Sequence, residues 1–287
     1  MKNPRIGILG VPFDLGIKLN KGRPGARFAP KKIKEKFYKL ISEKKRNRTK
    51  YKILEIVDYG NIVPAYGNVK ATHEKVTKAV KKIIKDGCIP IVIGGGHDIS
   101  FGSGKAASVL YRRIGQINID AHYDVRPVIN GKINSGTPFR RLLEGKYLIG
   151  NQFVELGLHS PKNLKEHYQY LLDQRATLIK MDSIHKTGID KAMKKAFLVA
   201  GKNTNAIVFD IDIDGVQKRF APGCSAPSVH GFTKSQILRS AYLAGKNIDV
   251  RLFNLMEVSP VYDVRNKTVK LAAELIVNFI DGVSERN

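Results

Sequence analysis

Runs of consecutive apolar residues alternate along this chain with segments in which apolar residues recur at helical spacing. The runs predict strands that are buried on both faces, because a strand with one face in water would alternate apolar and polar residues. Eight such strands are predicted, at 5–13, 51–57, 89–93, 114–119, 147–158, 176–181, 205–213 and 251–258.

Amphipathic segments separate most of these strands and predict helices. They span 31–42, 69–85, 98–110, 163–174, 189–200, 233–244 and 267–280. Apolar strands that alternate with helices are typical of a parallel sheet covered on both faces. Because no linker or internal repeat interrupts the alternation, we expect one α/β domain that spans residues 1–287.

Histidines and acidic residues stand at the carboxyl ends of three predicted strands. These residues are His97, Asp120, His122, Asp124, Asp210 and Asp212. Since the carboxyl ends of parallel strands lie at one edge of a sheet, we expect these side chains to converge there. Converging carboxylates repel one another unless a cation lies among them. A set of this size and chemistry suits two bridged ions of Mn, Fe, Co, Ni or Zn better than one tetrahedral ion.

The composition adds a strong positive charge, with 50 Lys and Arg against 25 Asp and Glu, or +25 in total. Such an excess is compatible with nucleic-acid binding or with an anionic substrate. The basic residues are spread along the chain, and the densest run, 44–50, contains no nucleic-acid-binding motif. A solvated, lysine-rich surface is therefore favoured over a nucleic-acid partner.

No apolar run is long enough to predict a transmembrane helix, and the first residues show no secretory cleavage signal. Cys88 and Cys224 stand far apart and without partners at metal-binding spacing. Their arrangement favours reduced structural thiols. We therefore expect a cytoplasmic protein without a membrane partner.

Four further histidines carry weaker signals. His73 and His167 fall on predicted helices and are expected at the surface. His159 follows a predicted strand and His230 follows an irregular loop, so both are expected nearer the opening of the site.

Short motifs along nearly the whole chain resemble those of the ureohydrolase family, which includes arginase, agmatinase and formimidoylglutamase. The motifs are Gly10-Val-Pro-Phe-Asp14, Gly22-Arg-Pro-Gly-Ala26, Gly95-Gly-His97, Asp120-Ala-His-Tyr-Asp124, Asp210-Ile-Asp212 and Met256-Glu-Val-Ser-Pro260. The resemblance implies an arginase-like, three-layer α/β/α fold with a mostly parallel central sheet of roughly eight strands. It also implies a homo-oligomer, since family members are commonly trimers or hexamers.

The same resemblance implies two Mn²⁺ ions in each subunit. One ion would be bound by His97, Asp120, Asp124 and Asp210, and the other by His122, Asp120, Asp210 and Asp212. The implied mechanism uses a metal-activated water as the nucleophile. In it Asp124 takes part in catalysis, and Glu257 pairs with the cationic amidine or guanidine of the substrate.

Within the family, four segments most resemble formimidoylglutamase. They are Gly94-Gly-Gly-His-Asp98, Asp120-Ala-His-Tyr-Asp-Val-Arg-Pro127, Ser135-Gly-Thr-Pro-Phe-Arg140 and Ala221-Pro-Gly-Cys-Ser-Ala-Pro227. The resemblance to this group implies hydrolysis of N-formimidoyl-L-glutamate to L-glutamate and formamide, a step of histidine degradation. The substrate would be a small, anionic derivative of an amino acid.

Candidate substrate contacts are Arg126, Ser135 and Arg140. Arg126 stands where arginase-like enzymes have an asparagine that meets the substrate carboxylate, and a guanidinium binds a carboxylate through two hydrogen bonds. Ser135 and Phe139 stand at positions where arginases and agmatinases carry a proton-transferring histidine. The proton for the leaving amine must then come by way of Asp124, from His159 or from solvent.

Two other functions remain open from the sequence. The same metal centre could hydrolyse agmatine or another guanidino compound, although an arginine at the opening would repel a cationic substrate. Alternatively, the chain could be an inactive relative whose basic surface binds nucleic acid or a partner protein. The complete set of candidate metal ligands argues against this last function.

Overall fold

The computed structural model describes residues 4–47 and 54–286. Its strands are β1 (Arg5–Gly10), β2 (Glu55–Asn61), β3 (Cys88–Ile93), β4 (Ile114–Ile119), β5 (Phe153–Leu158), β6 (Thr177–Lys180), β7 (Ala206–Asp212) and β8 (Val250–Met256). They form one eight-stranded sheet in the order β2-β1-β3-β8-β7-β4-β5-β6. Every neighbouring pair is parallel, so the predicted sheet is confirmed.

Helices cover both faces of this sheet. The described α-helices are α1 (Leu15–Leu19), α2 (Ala29–Asn47), α3 (Val69–Lys85), α4 (Ser100–Tyr111), α5 (Pro138–Glu144), α6 (Lys165–Asp173), α7 (Met181–Thr187), α8 (Ile189–Ala200), α9 (Lys234–Lys246) and α10 (Lys267–Val283). Helices α2, α8, α9 and α10 pack in one apolar core, and α3, α4, α5 and α6 pack in the other. The expected three-layer α/β/α fold is therefore confirmed. Among the described helices, none combines the length and the apolar character needed to cross a bilayer.

The predicted elements and the observed ones differ mainly at their ends. Helices α3 and α8 have the predicted bounds. The predicted strand 51–57 begins outside the described residues, and β2 runs from Glu55 to Asn61. Helices α1, α5 and α7 were not predicted, because with 5 to 7 residues they are too short to show repeated helical spacing.

The two strands that lead into His97 and Asp120 are buried along their whole length. Every residue of β3 and β4 is buried, including Gln116 and Asn118. Just beyond β3, a Cβ at Gly95 would overlap the carbonyl oxygen of Phe13, so only glycine permits this close approach. The Gly95 carbonyl also accepts a hydrogen bond from the backbone N–H of Glu257 at 2.8 Å. These contacts hold the ends of β1, β3 and β8 against one another.

Candidate metal centre

The predicted metal ligands and Glu257 all lie at the carboxyl edge of four adjacent central strands. His97 follows β3, and the segment from Asp120 to Asp124 follows β4. Asp210 and Asp212 are among the last three residues of β7, while Glu257 follows β8 directly. Because β3, β8, β7 and β4 are neighbours in the sheet, their ends converge as expected from the parallel topology.

The first group of side chains surrounds the imidazole of His97. Its Nδ1 atom lies 3.0 Å from Asp124 Oδ2, 3.1 Å from Asp212 Oδ2 and 3.2 Å from Asp120 Oδ2. The possible ligand atoms of these four residues all lie within 4.8 Å of one another. One imidazole nitrogen can donate a single hydrogen bond, so three carboxylates around it are better explained by a shared cation.

The second group contains His122, Asp120 and Asp214. His122 Nδ1 lies 3.1 Å from Asp214 Oδ2 and 3.4 Å from Asp120 Oδ1. Asp120 therefore joins both groups, with Oδ2 facing His97 and Oδ1 facing His122. Asp214 was not among the predicted ligands, although it continues the spacing of two set by Asp210 and Asp212.

The grouping differs from the one that the family resemblance implies. Asp212 lies with His97 rather than with His122, and Asp210 belongs to neither compact group. Asp210 Oδ2 instead lies 3.8 Å from His97 Nε2, and its Oδ1 accepts a hydrogen bond from Asn254 Nδ2 at 2.7 Å. The assignment of each residue to a particular ion stays a prediction.

Several buried polar atoms of the centre have no hydrogen-bond partner. They include both ring nitrogens of His97, Oδ2 of Asp210 and Oδ1 of Asp214. A buried polar atom without a partner is costly, by about 1–3 kcal/mol, and cation coordination would remove that cost. Carboxylate oxygens combined with imidazole nitrogens suit Mn²⁺ and its neighbours in the first transition row. The residues at this edge therefore fit a metal centre.

The electrostatics of the centre show an excess of crowded negative charge. Burial, and then the charge of Asp120, raise the pKa of Asp124 to about 6. Burial and neighbouring carboxylates also raise the pKa values of Asp212 and Asp214. Burial opposes protonation of His97, yet Asp120 and the other surrounding carboxylates raise its pKa well above the usual value. Bound cations would relieve the same repulsion.

Two residues of the centre have left-handed backbone conformations that are unusual for non-glycine residues. They are Asp124, with φ 45°, and Glu257, with φ 64°. Such conformations cost of order 1–3 kcal/mol each and concentrate at functional sites. Glu257 is held at both ends, because its backbone N–H donates to the Gly95 carbonyl at 2.8 Å and its Oε1 accepts a hydrogen bond from the backbone N–H of His97 at 3.0 Å.

A cavity of about 310 Å³ opens above this centre. It is lined by buried or partly buried carboxylates, which we call the acidic floor: Asp124, Asp212, Asp214 and Glu257. It is also lined by exposed cationic side chains, which we call the basic rim: Lys21, Arg23, Arg126 and Lys162. One cavity thus presents two opposite charges, one at its base and one at its opening.

The predicted substrate contacts fall in two different places. Arg126 and Ser135 line the cavity. Ser135 Oγ accepts a hydrogen bond from Asn20 Nδ2 at 3.0 Å, which leaves its hydroxyl hydrogen free to donate to a ligand. Arg140 does not line the cavity, because its Nε donates to Glu144 Oε1 at 2.7 Å and its guanidinium lies 4.1 Å from the ring centre of Tyr170.

The histidines outside the centre were predicted less well. His73 and His167 are only 1% and 6% exposed, so the expectation that both lie at the surface is wrong. His73 faces inward from α3, where Nε2 lies 2.8 Å from Asp98 Oδ2, and His167 lines the cavity. His159 and His230 are not among the residues that line it.

Most of the basic rim was not predicted either. Arg23 belongs to a quoted motif but was given no role, and Lys21 and Lys162 were not singled out. Arg23 is held in place by the carbonyl oxygens of Cys224 and Ser225, at 2.8 and 3.1 Å, and it stacks on Tyr262. These residues lie on loops, where no apolar periodicity indicates the direction of a side chain.

Comparisons with known proteins agree with this geometry. A sequence profile described as the arginase family matches residues 4–281. The formimidoylglutamase of Staphylococcus haemolyticus is 32% identical to this chain over 280 residues, which cover 96% of this chain and 85% of that protein. The similarity is therefore spread over the whole sheet and both helical layers.

Solved structures extend the similarity to three dimensions. The structure of Trypanosoma cruzi formiminoglutamase with Mn²⁺₂ has a TM-score of 0.90 and 29% sequence identity, and the match covers 99% of this chain and 95% of that one. The arginase of Bacillus caldovelox has a TM-score of 0.85 at 23% identity, over 98% of this chain and 99% of that one. The second similarity supports the fold alone.

Proposed function

We propose a function for this chain on the premise that it belongs to the arginase family. It is a metal-dependent hydrolase that cleaves the amidine carbon–nitrogen bond of N-formimidoyl-L-glutamate and releases L-glutamate and formamide. The reaction adds the oxygen of one water to the amidine carbon, and the glutamate nitrogen leaves with a proton.

The observation that carries this proposal is the opposite charge of the two parts of the cavity. The substrate has a cationic amidine at one end and two carboxylates at the other. The acidic floor matches the amidine and the basic rim matches the carboxylates, so the substrate has one favourable orientation. Agmatine has no carboxylate, and its ammonium end would meet the cations of the rim.

Metal ions are the cofactor in this proposal. Two Mn²⁺ ions would be held by His97, Asp120, His122, Asp124, Asp210 and Asp212, with Asp214 as a further candidate ligand. When bound, such a pair lowers the pKa of a shared water and supplies a nucleophile near neutral pH. The T. cruzi relative solved with Mn²⁺₂ supports the choice of metal.

Glu257 would bind and orient the amidine. Its Oε1 is already engaged by the backbone N–H of His97, which fixes the carboxyl group and leaves Oε2 for the substrate. Burial, and then the charge of Asp212, raise the pKa of Glu257 well above its usual value. A cationic amidine at this carboxyl group would favour its ionised form, which makes the pairing selective for cations.

Asp124 would move the proton that the reaction requires. It lines the cavity, and its carboxyl group can take a proton from the attacking water and deliver it to the leaving nitrogen. His159 is a weaker donor candidate, because it does not line the cavity and its Nδ1 lies 2.6 Å from the Gly157 carbonyl oxygen.

The rim would bind the two carboxylates. Arg126 offers a planar pair of N–H donors, and Ser135 adds a hydroxyl donor beside it in the same cavity. Arg23 and Lys162 supply further positive charge at the opening. Arg140 lies outside this set, because its guanidinium is already bonded to Glu144.

A side-by-side assay tests this function. Protein loaded with Mn²⁺ is incubated with N-formimidoyl-L-glutamate, agmatine or L-arginine, and formamide and urea are quantified. We expect formamide release from the first substrate to exceed urea release from the others by at least about 100-fold in kcat/KM, as expected when buried charged groups discriminate between substrates. Preferential urea release would refute the substrate, and no hydrolysis of any kind would refute the enzyme.

The proposal also includes the setting of the enzyme. We propose a cytoplasmic location, which the two free, buried cysteines support, and a homo-oligomer, which the family resemblance implies. Light scattering coupled to size-exclusion chromatography tests the second point, since a mass equal to that of one chain would contradict it.

A further inference from the structure

A row of buried polar side chains crosses the sheet beneath the metal centre. Its members are Glu155 on β5, Asn118 on β4, Asp210 on β7 and Asn254 on β8, each 0% exposed. Asn118 pairs in register with Glu155 and with Asp210, and Asp210 pairs with Asn254. Residues in register on neighbouring strands point to the same face, so the row is continuous.

Asn118 connects Glu155 to the metal centre. Its Nδ2 donates to Glu155 Oε2 at 2.9 Å and to Asp120 Oδ2 at 3.3 Å. An amide nitrogen has two hydrogens, so each carboxyl group takes one of them. Asp120 Oδ2 is the oxygen that faces His97, whereas Oδ1 is engaged by the backbone N–H of His122 at 2.7 Å.

Glu155 and Asn118 would destabilise the core if they served only to fill space there. Glu155 Oε1 and Asn118 Oδ1 are both buried without a partner, and such atoms destabilise a core. The residue two positions before Glu155, on the same face of β5, is the buried Phe153, so an apolar residue fits this face. A polar pair here is more readily explained by what it does to Asp120.

We propose that Glu155 is a positioning residue for the metal centre: through the amide of Asn118 it holds the Asp120 carboxylate in the orientation that binds both ions. With Glu155 in place, the Asn118 amide cannot rotate without losing its shorter hydrogen bond. The second N–H then stays directed at Oδ2 and fixes the plane of the carboxylate. Replacing a residue that orients a metal ligand in this way typically lowers metal affinity by about 10- to 100-fold.

The inference rests on the metal centre of the proposed function, and its test measures metal affinity rather than turnover. Metal-free protein is titrated with MnCl₂ by calorimetry for the wild type, Glu155→Leu and Glu155→Gln. We expect Glu155→Leu to weaken Mn²⁺ binding by about 10- to 100-fold. Glu155→Gln keeps an oxygen that can accept the hydrogen bond from Asn118 Nδ2, so it should bind Mn²⁺ nearly as the wild type does.

Gln116→Leu is the matched control. Gln116 lies on the same face of β4, is 1% exposed and bonds only weakly, to the Ile117 carbonyl at 3.4 Å. Its replacement should leave Mn²⁺ affinity within about threefold of the wild type, because its described hydrogen bond goes to the Ile117 carbonyl and not to a residue of the centre. An equal loss in Gln116→Leu and Glu155→Leu would mean a general packing effect and would overturn the inference.

Asn118→Ala provides a second test in case Glu155→Leu does not fold. It removes both hydrogen bonds and should weaken Mn²⁺ binding to a similar extent. The double variant Glu155→Leu/Asn118→Ala should be no weaker than Asn118→Ala, because both changes break one connection. If Glu155→Leu or Asn118→Ala binds Mn²⁺ as tightly as the wild type, the inference is overturned and the proposed function still stands. If the wild-type protein itself binds no Mn²⁺, both the inference and the proposed function are overturned.

Discussion

The acidic floor and the basic rim of the cavity have different structural origins. The floor comes from residues at the ends of β4, β7 and β8, where the sheet and its hydrogen bonds fix the backbone. The rim comes from exposed residues of loops that are distant in the sequence, such as Arg23 and Lys162. Residues placed by a sheet vary little in position, whereas loop residues can change without disturbing the core.

This difference separates the chemistry of the reaction from the choice of substrate. The floor and the metal centre beneath it would set the reaction, because their carboxylates and histidines would hold the ions that activate water. The rim would set which molecule is hydrolysed, because it meets the part of the substrate that does not react. Mutations in the two regions should therefore have different kinetic signatures.

Asp120→Asn should have the largest effect, because Asp120 joins both groups of the metal centre that lies beneath the floor. Loss of its charge removes a ligand from each ion, and kcat/KM should fall by on the order of 10³-fold or more, equivalent to about 4 kcal/mol. Steady-state kinetics and elemental analysis of bound Mn measure the effect. Asp190→Asn, an exposed carboxylate paired with Arg239, is the control and should keep both metal and turnover.

The pH dependence of the metal-free protein should also follow from the floor. The pKa of Asp124 is raised to about 6 in the folded protein, so the folded state binds this proton more tightly than the unfolded state does. The stability that this proton contributes is fully present below about pH 4 and is lost as the pH rises through about 6. The free energy of unfolding of the wild type relative to Asp124→Asn should therefore fall over this range, by up to about 3 kcal/mol. Thermal unfolding of both proteins from about pH 4 to about pH 7.5, read as the difference between them, measures this effect.

Added Mn²⁺ should reverse this trend, because the ion binds the ionised carboxylate and competes with the proton. The rise in melting temperature on adding Mn²⁺ should be larger at high pH than at low pH. A difference between the two proteins that does not change with pH would contradict the described surroundings of Asp124.

Arg126→Ala tests the rim. Loss of a charge-assisted hydrogen bond should raise KM for N-formimidoyl-L-glutamate by about 10- to 100-fold, with a smaller change in kcat. Arg126→Lys should recover part of this loss, since it keeps the charge but not the paired donors. A fall in kcat with unchanged KM would instead place Arg126 in the chemistry of the floor.

Arg140→Ala should have the smallest effect. Arg140 pairs with Glu144 on the surface of α5, and such a pair contributes about 0.3–0.5 kcal/mol. Because Arg140 does not line the cavity, its loss should also leave KM within about twofold of the wild type. A rise in KM as large as that in Arg126→Ala would show that the rim extends to α5.

The same contrast explains how much the sequence could predict. The positions of His97, Asp120 and Asp210 follow from apolar runs and from the rule that parallel strands end at one edge. The presence of Asp212 beside His97, and the role of Asp214, depend on a short turn from Ile213 to Gly215 that has no periodic signal. The burial of His73, by contrast, could have been predicted, because it lies four residues after Val69 and three before Val76, on the apolar face of α3.

The placement of manganese is the decisive measurement. A crystal of the protein soaked in MnCl₂ would be examined by anomalous scattering at the manganese edge. We predict two peaks at the carboxyl edge of the sheet, one beside His97 and one beside His122, with Asp120 bound to both. A single peak, peaks away from Asp120, or no peak at saturating Mn²⁺ would contradict a two-ion centre in this protein.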